Sequence, residues 1–372
     1  MERIDLTRAE DPRDIVHRAV ACLATGGIIA LPTESVYWLA ASATDDGFRD
    51  KLIECGIAPP RGALAIKGAD ELGDWVPEPV DLAGKLARRC WPGPIALRFS
   101  KQSTQQGLIN RLSPSVRAAI ENEEGAIDFH YPSHPFVREI GRLVPGPLFL
   151  LESAGDNGSL ATSAEIPAES PFRDAMDMLI DDGATELSGL PTIVSIDGKS
   201  WRVERQGVVD LEQIRRMAGT ILLFVCTGNT CRSPMAEAIC KKRLSERLQC
   251  TVAELETRGY VVLSAGLSAA SGHPAAREAM DVVQTMGVSL REHGSRPVTR
   301  ELIAHADLIL AMTNEHRHSL LSQIPEAASR LRLLNPKGGD IPDPIGMDRE
   351  TYRRTANTMD GHIVQLLNDM NI

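Results

Sequence analysis

Hydrophobic positions along this chain fall into short runs punctuated by Gly, Pro and charged turns, and the runs change character near residue 218. Residues 221–225 read ILLFV, an unbroken apolar run of strand length, which predicts a strand buried on both faces. Apolar positions at helical spacing follow over 234–248. Then come a strand over 261–264, a helix over 275–286, a strand over 308–311 and a final helix over 349–369. Strands alternating with helices need crossover connections, so residues 220–372 predict an α/β unit with a parallel sheet covered on both faces. Ligands of such sheets sit beyond the carboxyl ends of strands, which directs the search for chemistry to the loop after Val225.

The first part of the chain is richer in Pro and Gly. Its candidate strands cover 27–31, 63–66, 95–99, 148–151, 192–196 and 201–204, so residues 1–217 are expected to form a mixed-sheet α/β domain. Residues 208–220, VVDLEQIRRMAGT, read as a short helix stopped by Gly219, which puts the domain boundary at 217–219. The stretch 185–191 is the most linker-like within the first domain, and no internal repeat or low-complexity tract interrupts either part.

Composition narrows the function classes. A chain of 372 residues with 43% hydrophobic and 24% charged residues can bury two ordinary cores. The formal net charge of -10 argues against a surface that grips nucleic acid throughout, although it leaves room for a local basic patch. No apolar run approaches the roughly 20 residues that span a bilayer, and the opening MERIDLTRAEDPRD is charged rather than shaped like a secretion signal, so a cytoplasmic protein with no membrane contact is expected. Seven cysteines, an odd number without Cys-x-x-Cys spacing, and nine histidines that do not cluster with them lead us to expect reduced thiols, no metal and no cofactor.

The most informative text is CTGNTCRSP, residues 226–234, set between the buried strand and the helix. Gly228 and Asn229 tolerate left-handed backbone, which lets successive N–H groups turn inward as an anion nest. Pro234 suits the first helical position, so the helix N-terminus would point into the same nest. That field favours thiolate over thiol at Cys226. Arg232, six positions on, can curl back to chelate two phosphoryl oxygens, and Ser233 can donate its hydroxyl to the sulfur. A Cys-x5-Arg spacing alone arises by accident in a chain with this many arginines; the strand before it and the Ser-Pro and helix after it make it specific. Asp343 in DIPDPIG, stiffened by Pro342 and Pro344, is the candidate general acid for the leaving group and base for water, with Asp340 as the fallback. These residues predict a phosphomonoesterase working through a phosphocysteine.

Residues 220–372 resemble the low-molecular-weight protein tyrosine phosphatase family, which includes bacterial protein arginine phosphatases. The likeness rests on VCTGNTCRSPMAEA, SAG at 264–266, ADLILAMT at 306–313 and DP at 343–344. It implies Cys226 as nucleophile, Arg232 as phosphate binder, Asp343 as acid and base, and a substrate site lined by Thr227, Gly228, Asn229, Thr230, Cys231 and Ser233, with a phosphorylated protein as partner. Tyrosine-specific members usually carry an aliphatic residue where this chain has Thr230, as the arginine phosphatases do. Loss of that wall against a phenol ring implies phosphoarginine, with phosphotyrosine the alternative. Cys231 lies close enough in sequence to capture an oxidised Cys226 as a disulfide, or is a buried spectator thiol.

Residues 1–217 resemble the threonylcarbamoyl-adenylate synthase family, the YrdC-like proteins, a twisted mixed-sheet α/β fold whose positively charged cavity binds ATP and threonine and, in some members, double-stranded RNA. The matching text is GGIIALPTESVYWLA, WPGPIALRF, YPSHPFV and LPTIVSIDGKSWRVERQGVVD. The active pattern is broken. Gly56 and Ala58 stand where a Lys-x-Arg element is expected, Gly155 replaces an asparagine unless Asn157 substitutes for it, His130 replaces an arginine and Trp38 a glycine. Each charge-assisted phosphate contact is worth about 1.5–3 kcal/mol, so losing several together removes the basis for holding a triphosphate. A catalytically silent module follows, with Thr33, Glu34, Ser35 and Tyr37 as a remnant ligand site or as scaffold. The competing readings are a bifunctional protein that still makes threonylcarbamoyl-adenylate, and a regulator that contacts nucleotide or RNA. Arsenate reduction on the phosphatase scaffold would need further thiols, and Cys231 is the only obvious one.

Overall fold

A computed structural model describes residues 1–57, 62–77, 81–152 and 171–372. The chain separates into two compact units, Met1–Ile214 and Arg215–Ile372.

Among its described residues the first unit has ten strands: β1 (Glu2–Asp5), β2 (Ile29–Pro32), β3 (Tyr37–Ser42), β4 (Gly62–Ala65), β5 (Ile95–Phe99), β6 (Ile127–His130), β7 (Leu148–Glu152), β8 (Met178–Asp181), β9 (Thr192–Asp197) and β10 (Ser200–Arg205). They form one sheet in the order β1-β8-β2-β3-β7-β4-β6-β5-β9-β10. Pairs such as β1/β8 and β5/β9 are parallel, while β3/β7 and β9/β10 are antiparallel, so the sheet is mixed. Helices Pro12–Ala24 and Pro135–Leu143 cover one face, their Val16, Ala19, Phe136 and Ile140 packing on Ile29, Leu31 and Leu150. Strands β1, β3, β6 and β8 escaped the sequence reading. β1 reads ERID and offers no apolar run.

In the second unit β11 (Thr220–Cys226), β12 (Tyr260–Gly266), β13 (Leu308–Ala311) and β14 (Leu331–Leu333) make a wholly parallel sheet in the order β12-β11-β13-β14. Side chains of β11 alternate between two cores. Leu222 and Phe224 pack with Met235, Ile239, Met359 and Ile363 on one face, while Leu223 and Val225 pack with Ile303, Ile309 and Leu320 on the other. Three elements went unforeseen: helices Arg300–His305 and Asn314–Gln323, and β14. Helix Asn314–Gln323, NEHRHSLLSQ, buries only His316 and Leu320, too few apolar positions to leave a stripe.

The helix after the phosphate loop also begins earlier than expected, at Arg232, which places Pro234 third rather than first. The shift is free of cost because the opening N–H groups of a helix lack intrahelical partners. Its consequence is that Arg232 and Ser233 are fixed in the rigid first turn instead of trailing in the loop. Among the described residues no helix is long and apolar enough to cross a membrane.

Candidate active site

Strand β11 ends at Cys226, and the loop that follows is stitched to the segment after β12. The carbonyls of Cys226 and Thr227 accept from the N–H groups of Leu267 and Ser268, both at 2.9 Å. Gly266 makes this approach feasible, since a Cβ there would lie 2.6 Å from the Thr227 carbonyl oxygen and 2.8 Å from the Asn229 nitrogen. Left-handed backbone occurs at Asn229, with φ of 55°, and not at Gly228. Asn229 tolerates that conformation better than most side chains do.

Asn229 is also the hub of the loop and is fully buried. Its Oδ1 accepts from the Arg296 N–H at 2.9 Å, and its Nδ2 donates to Ser233 Oγ and to Ser264 Oγ, each at 2.9 Å. The Ser264 hydroxyl donates in turn to Glu237 Oε2 at 2.6 Å, and Glu237 Oε1 pairs with Lys241 at 2.5 Å. Since Ser233 Oγ accepts from Asn229, its own hydrogen is free to point at Cys226 Sγ, 3.0 Å away; the Ala265 carbonyl is the more distant option at 3.3 Å. The Asn229 N–H donates to the same sulfur at 3.3 Å. A polarised chain of hydrogen bonds thus runs from a carboxylate through two hydroxyls and an amide to the sulfur, and its donors stabilise negative charge there. Among the described residues no hydrogen bond engages the N–H groups of Gly228, Thr230 or Cys231, so they remain available to an anion.

Arg232 is 5% exposed. Its Nη2 pairs with Asp343 Oδ2 at 2.5 Å and its Nη1 donates to the Ile341 carbonyl at 3.2 Å. Two of the five N–H donors of a guanidinium are thereby used to aim it, leaving others for oxygen ligands. Asp343 is 40% exposed, open to proton exchange with solvent. Asp340, the fallback acid, is instead held by Asn314, whose N–H and Nδ2 donate to its Oδ1 at 2.7 and 3.0 Å.

A family model described as low molecular weight phosphotyrosine protein phosphatase matches residues 221–371, and one of the YrdC-like proteins, described as telomere recombination, matches residues 21–207. A protein-arginine-phosphatase of Bacillus subtilis is 36% identical over 149 residues, spanning 39% of this chain and 93% of that protein. This chain belongs to the low molecular weight protein phosphatase and YrdC-like families. Its phosphatase unit is also 34% identical to the low molecular weight protein-tyrosine-phosphatase Etp of Escherichia coli over 141 residues, 37% of this chain and 86% of that one. A solved arginine phosphatase structure from Geobacillus stearothermophilus aligns at 35% identity and a TM-score of 0.36, covering 41% of this chain and 93% of that one. The chain is a cysteine-dependent phosphomonoesterase, a protein phosphatase.

Several residues of the phosphatase site lay outside the sequence reading. His316 meets Thr227 Oγ1 through Nε2 at 2.8 Å and Thr313 Oγ1 through Nδ1 at 3.0 Å. Tyr352 OH lies 3.2 Å from Cys231 Sγ, and His293 Nε2 2.8 Å from the Asn229 carbonyl oxygen. Burial pushes the Tyr352 hydroxyl's pKa up, and the contact with Cys231 adds to the shift. Thr230 is half-buried, its hydroxyl 3.7 Å from Cys231 Sγ and its carbonyl accepting from the Ala276 N–H at 2.9 Å.

Burial, and after it the positive Arg232, hold His316 below its ordinary 6.5. As pH falls through 6.5 the unfolded chain takes up this proton before the folded one does, so folded stability declines below that value and is unaffected above it. His316→Gln keeps a polar partner for Thr227 but does not titrate. We expect the wild type to lose more melting temperature than this variant between about pH 7.5 and about pH 5.5. Equal losses would remove His316 from the acid response.

In the YrdC-like unit only part of the expected ligand site faces a cavity. Thr33 and Glu34 line one, whereas Ser35 and Tyr37 are 0% and 1% exposed and do not. The Thr33 hydroxyl donates to the Val36 carbonyl at 2.6 Å and accepts from the Val36 N–H at 3.2 Å, a local turn lock. Tyr37 OH donates to the Gly183 carbonyl at 2.7 Å and accepts from the Asp182 N–H at 3.0 Å, and burial raises its pKa to about 12. Ser35 and Tyr37 are thus buried away from this cavity. Of the positions where the active pattern is broken, Trp38 and His130 are buried, Gly56 is described at φ of 78°, and Ala58, Gly155 and Asn157 lie outside the described residues.

Proposed function

We propose that Cys226 is the nucleophile, that Arg232 and the 227–233 loop hold the phosphoryl oxygens, and that Asp343 is the acid and base. The observation that carries this reading is the hydrogen-bond chain ending on Cys226 Sγ beside an Arg232 aimed by Asp343. In the first step the sulfur forms a bond to phosphorus, the bond from phosphorus to the leaving nitrogen or oxygen breaks, and Asp343 supplies the proton that group needs. In the second, water attacks phosphocysteine while Asp343 accepts its proton, releasing inorganic phosphate and regenerating the thiolate.

The substrate reading is phosphoarginine on a protein. Thr230 presents a small polar side chain where an aliphatic wall would favour a phenol, Asp343 can pair with a departing guanidinium, and the Bacillus subtilis relative is named an arginine phosphatase. The test is kcat/KM on phosphoarginine and phosphotyrosine peptides, with Thr230→Ile as probe. We expect the wild type to prefer phosphoarginine, and the substitution to move the ratio toward phosphotyrosine by about 10–100-fold, the range of one hydrophobic contact. A wild type that prefers phosphotyrosine, or a ratio that Thr230→Ile leaves in place, overturns it.

For the first unit our reading is a module silent as a synthase, in a cytoplasmic protein, with nucleotide or double-stranded RNA contact as the remaining role of its fold family. The loss of cations at positions 56 and 58 supports silence. ATP consumption dependent on threonine and bicarbonate would instead establish a bifunctional enzyme, and absence of ATP or RNA binding would remove the contact.

A further inference from the structure

The cavity at Glu34 in the first unit, about 740 Å³, carries chemistry that the phosphatase reaction does not use. Among the described residues, Glu34 Oε1, His134 Nδ1 and Thr185 Oγ1 are buried without a hydrogen-bond partner, and all three residues line this one cavity. Glu34 is only 4% exposed. Its Oε2 accepts from the Ser133 N–H at 2.9 Å, while His130 Nε2 lies 3.9 Å from Oε1, beyond hydrogen-bond reach, and meets the Gly93 carbonyl at 3.0 Å instead. A buried carboxylate oxygen left without a partner is destabilising, so its presence points to an occupant that donates to it.

The other atoms define that occupant. His134 Nε2 meets Asp182 Oδ2 at 3.0 Å, and with that proton facing the carboxylate, Nδ1 carries a lone pair. Glu34 Oε1 and Thr185 Oγ1 can each accept from an ammonium N–H, and His134 Nδ1 can do so where the ring is neutral. The charge agrees, because Glu139, Asp182 and Glu186 also line the cavity against Arg13. Val16 and Phe136 supply apolar wall for a short carbon chain.

We propose that this cavity binds a small primary alkylammonium, with Glu34 as its charge partner. The experiment is calorimetric titration of the full chain with n-butylammonium, against tetramethylammonium, which has the charge and no N–H. We expect saturable binding of n-butylammonium alone, weakened about tenfold or more in Glu34→Gln, the loss of one charge-assisted contact, and weakened in Thr185→Val. Thr185→Val leaves Glu34 and its bond to Ser133 in place, so it decides the matter even if Glu34→Gln does not fold. No saturable binding, equal binding of tetramethylammonium, or a Thr185→Val variant that binds as the wild type does overturns the proposal.

Discussion

Cys226→Ser is expected to lower kcat on p-nitrophenyl phosphate by about 10⁴–10⁶-fold, the scale seen when a covalent nucleophile is removed, and to retain the folded state. The hydrogen bonds around Sγ come from Ser233 and the Asn229 N–H, and a hydroxyl at the same place can still accept both. What the substitution removes is the ease of ionisation. Donors able to hold a thiolate do not bring an alcohol near ionisation at neutral pH, so the attacking group stays protonated. Unchanged melting temperature with residual activity below about 10⁻⁴ of wild type is the expected pair of results. Activity within about tenfold of wild type would mean that the sulfur is not the nucleophile.

Asp343→Asn is the second large effect, and its signature is dependence on the leaving group. An amide cannot supply the proton, so kcat on phenyl phosphate falls by about 10²–10⁴-fold, the usual range for a general acid. p-Nitrophenolate is stable without a proton, so the first step on that substrate is affected far less. This contrast separates proton transfer from the other task of Asp343, aiming Arg232 through the 2.5 Å ion pair. If aiming were its whole role, both substrates would suffer alike, because every substrate presents the same phosphoryl oxygens to the guanidinium. Stopped-flow measurement of the phenol burst on the two substrates reads the difference directly.

The two halves of the site differ in how they could be read. Cys226, Asn229, Arg232 and Ser233 lie within one turn of strand, loop and helix, and their roles follow from spacing together with the backbone freedom of Asn229. Strand β13 and helix Arg349–Asp369 were likewise legible from end to end, because each carries an apolar pattern of the right period. Helix Asn314–Gln323 and strand β1 were not, since polar elements pinned by a few buried contacts leave no periodic trace.

By itself, then, the sequence determined where a strand feeds a helix through a loop suited to an anion, and which sulfur and guanidinium share that loop. Only the tertiary structure decided what orients them. Asn229 reaches Ser264 across 35 residues, Thr227 reaches His316 across 89, Arg232 reaches Asp343 across 111 and Cys231 reaches Tyr352 across 121. Such pairs join common residue types at separations that no local rule constrains. A serine, histidine or aspartate becomes part of the site only when the fold sets it beside a partner, buried as Ser264 and His316 are or partly open to solvent as Asp343 is.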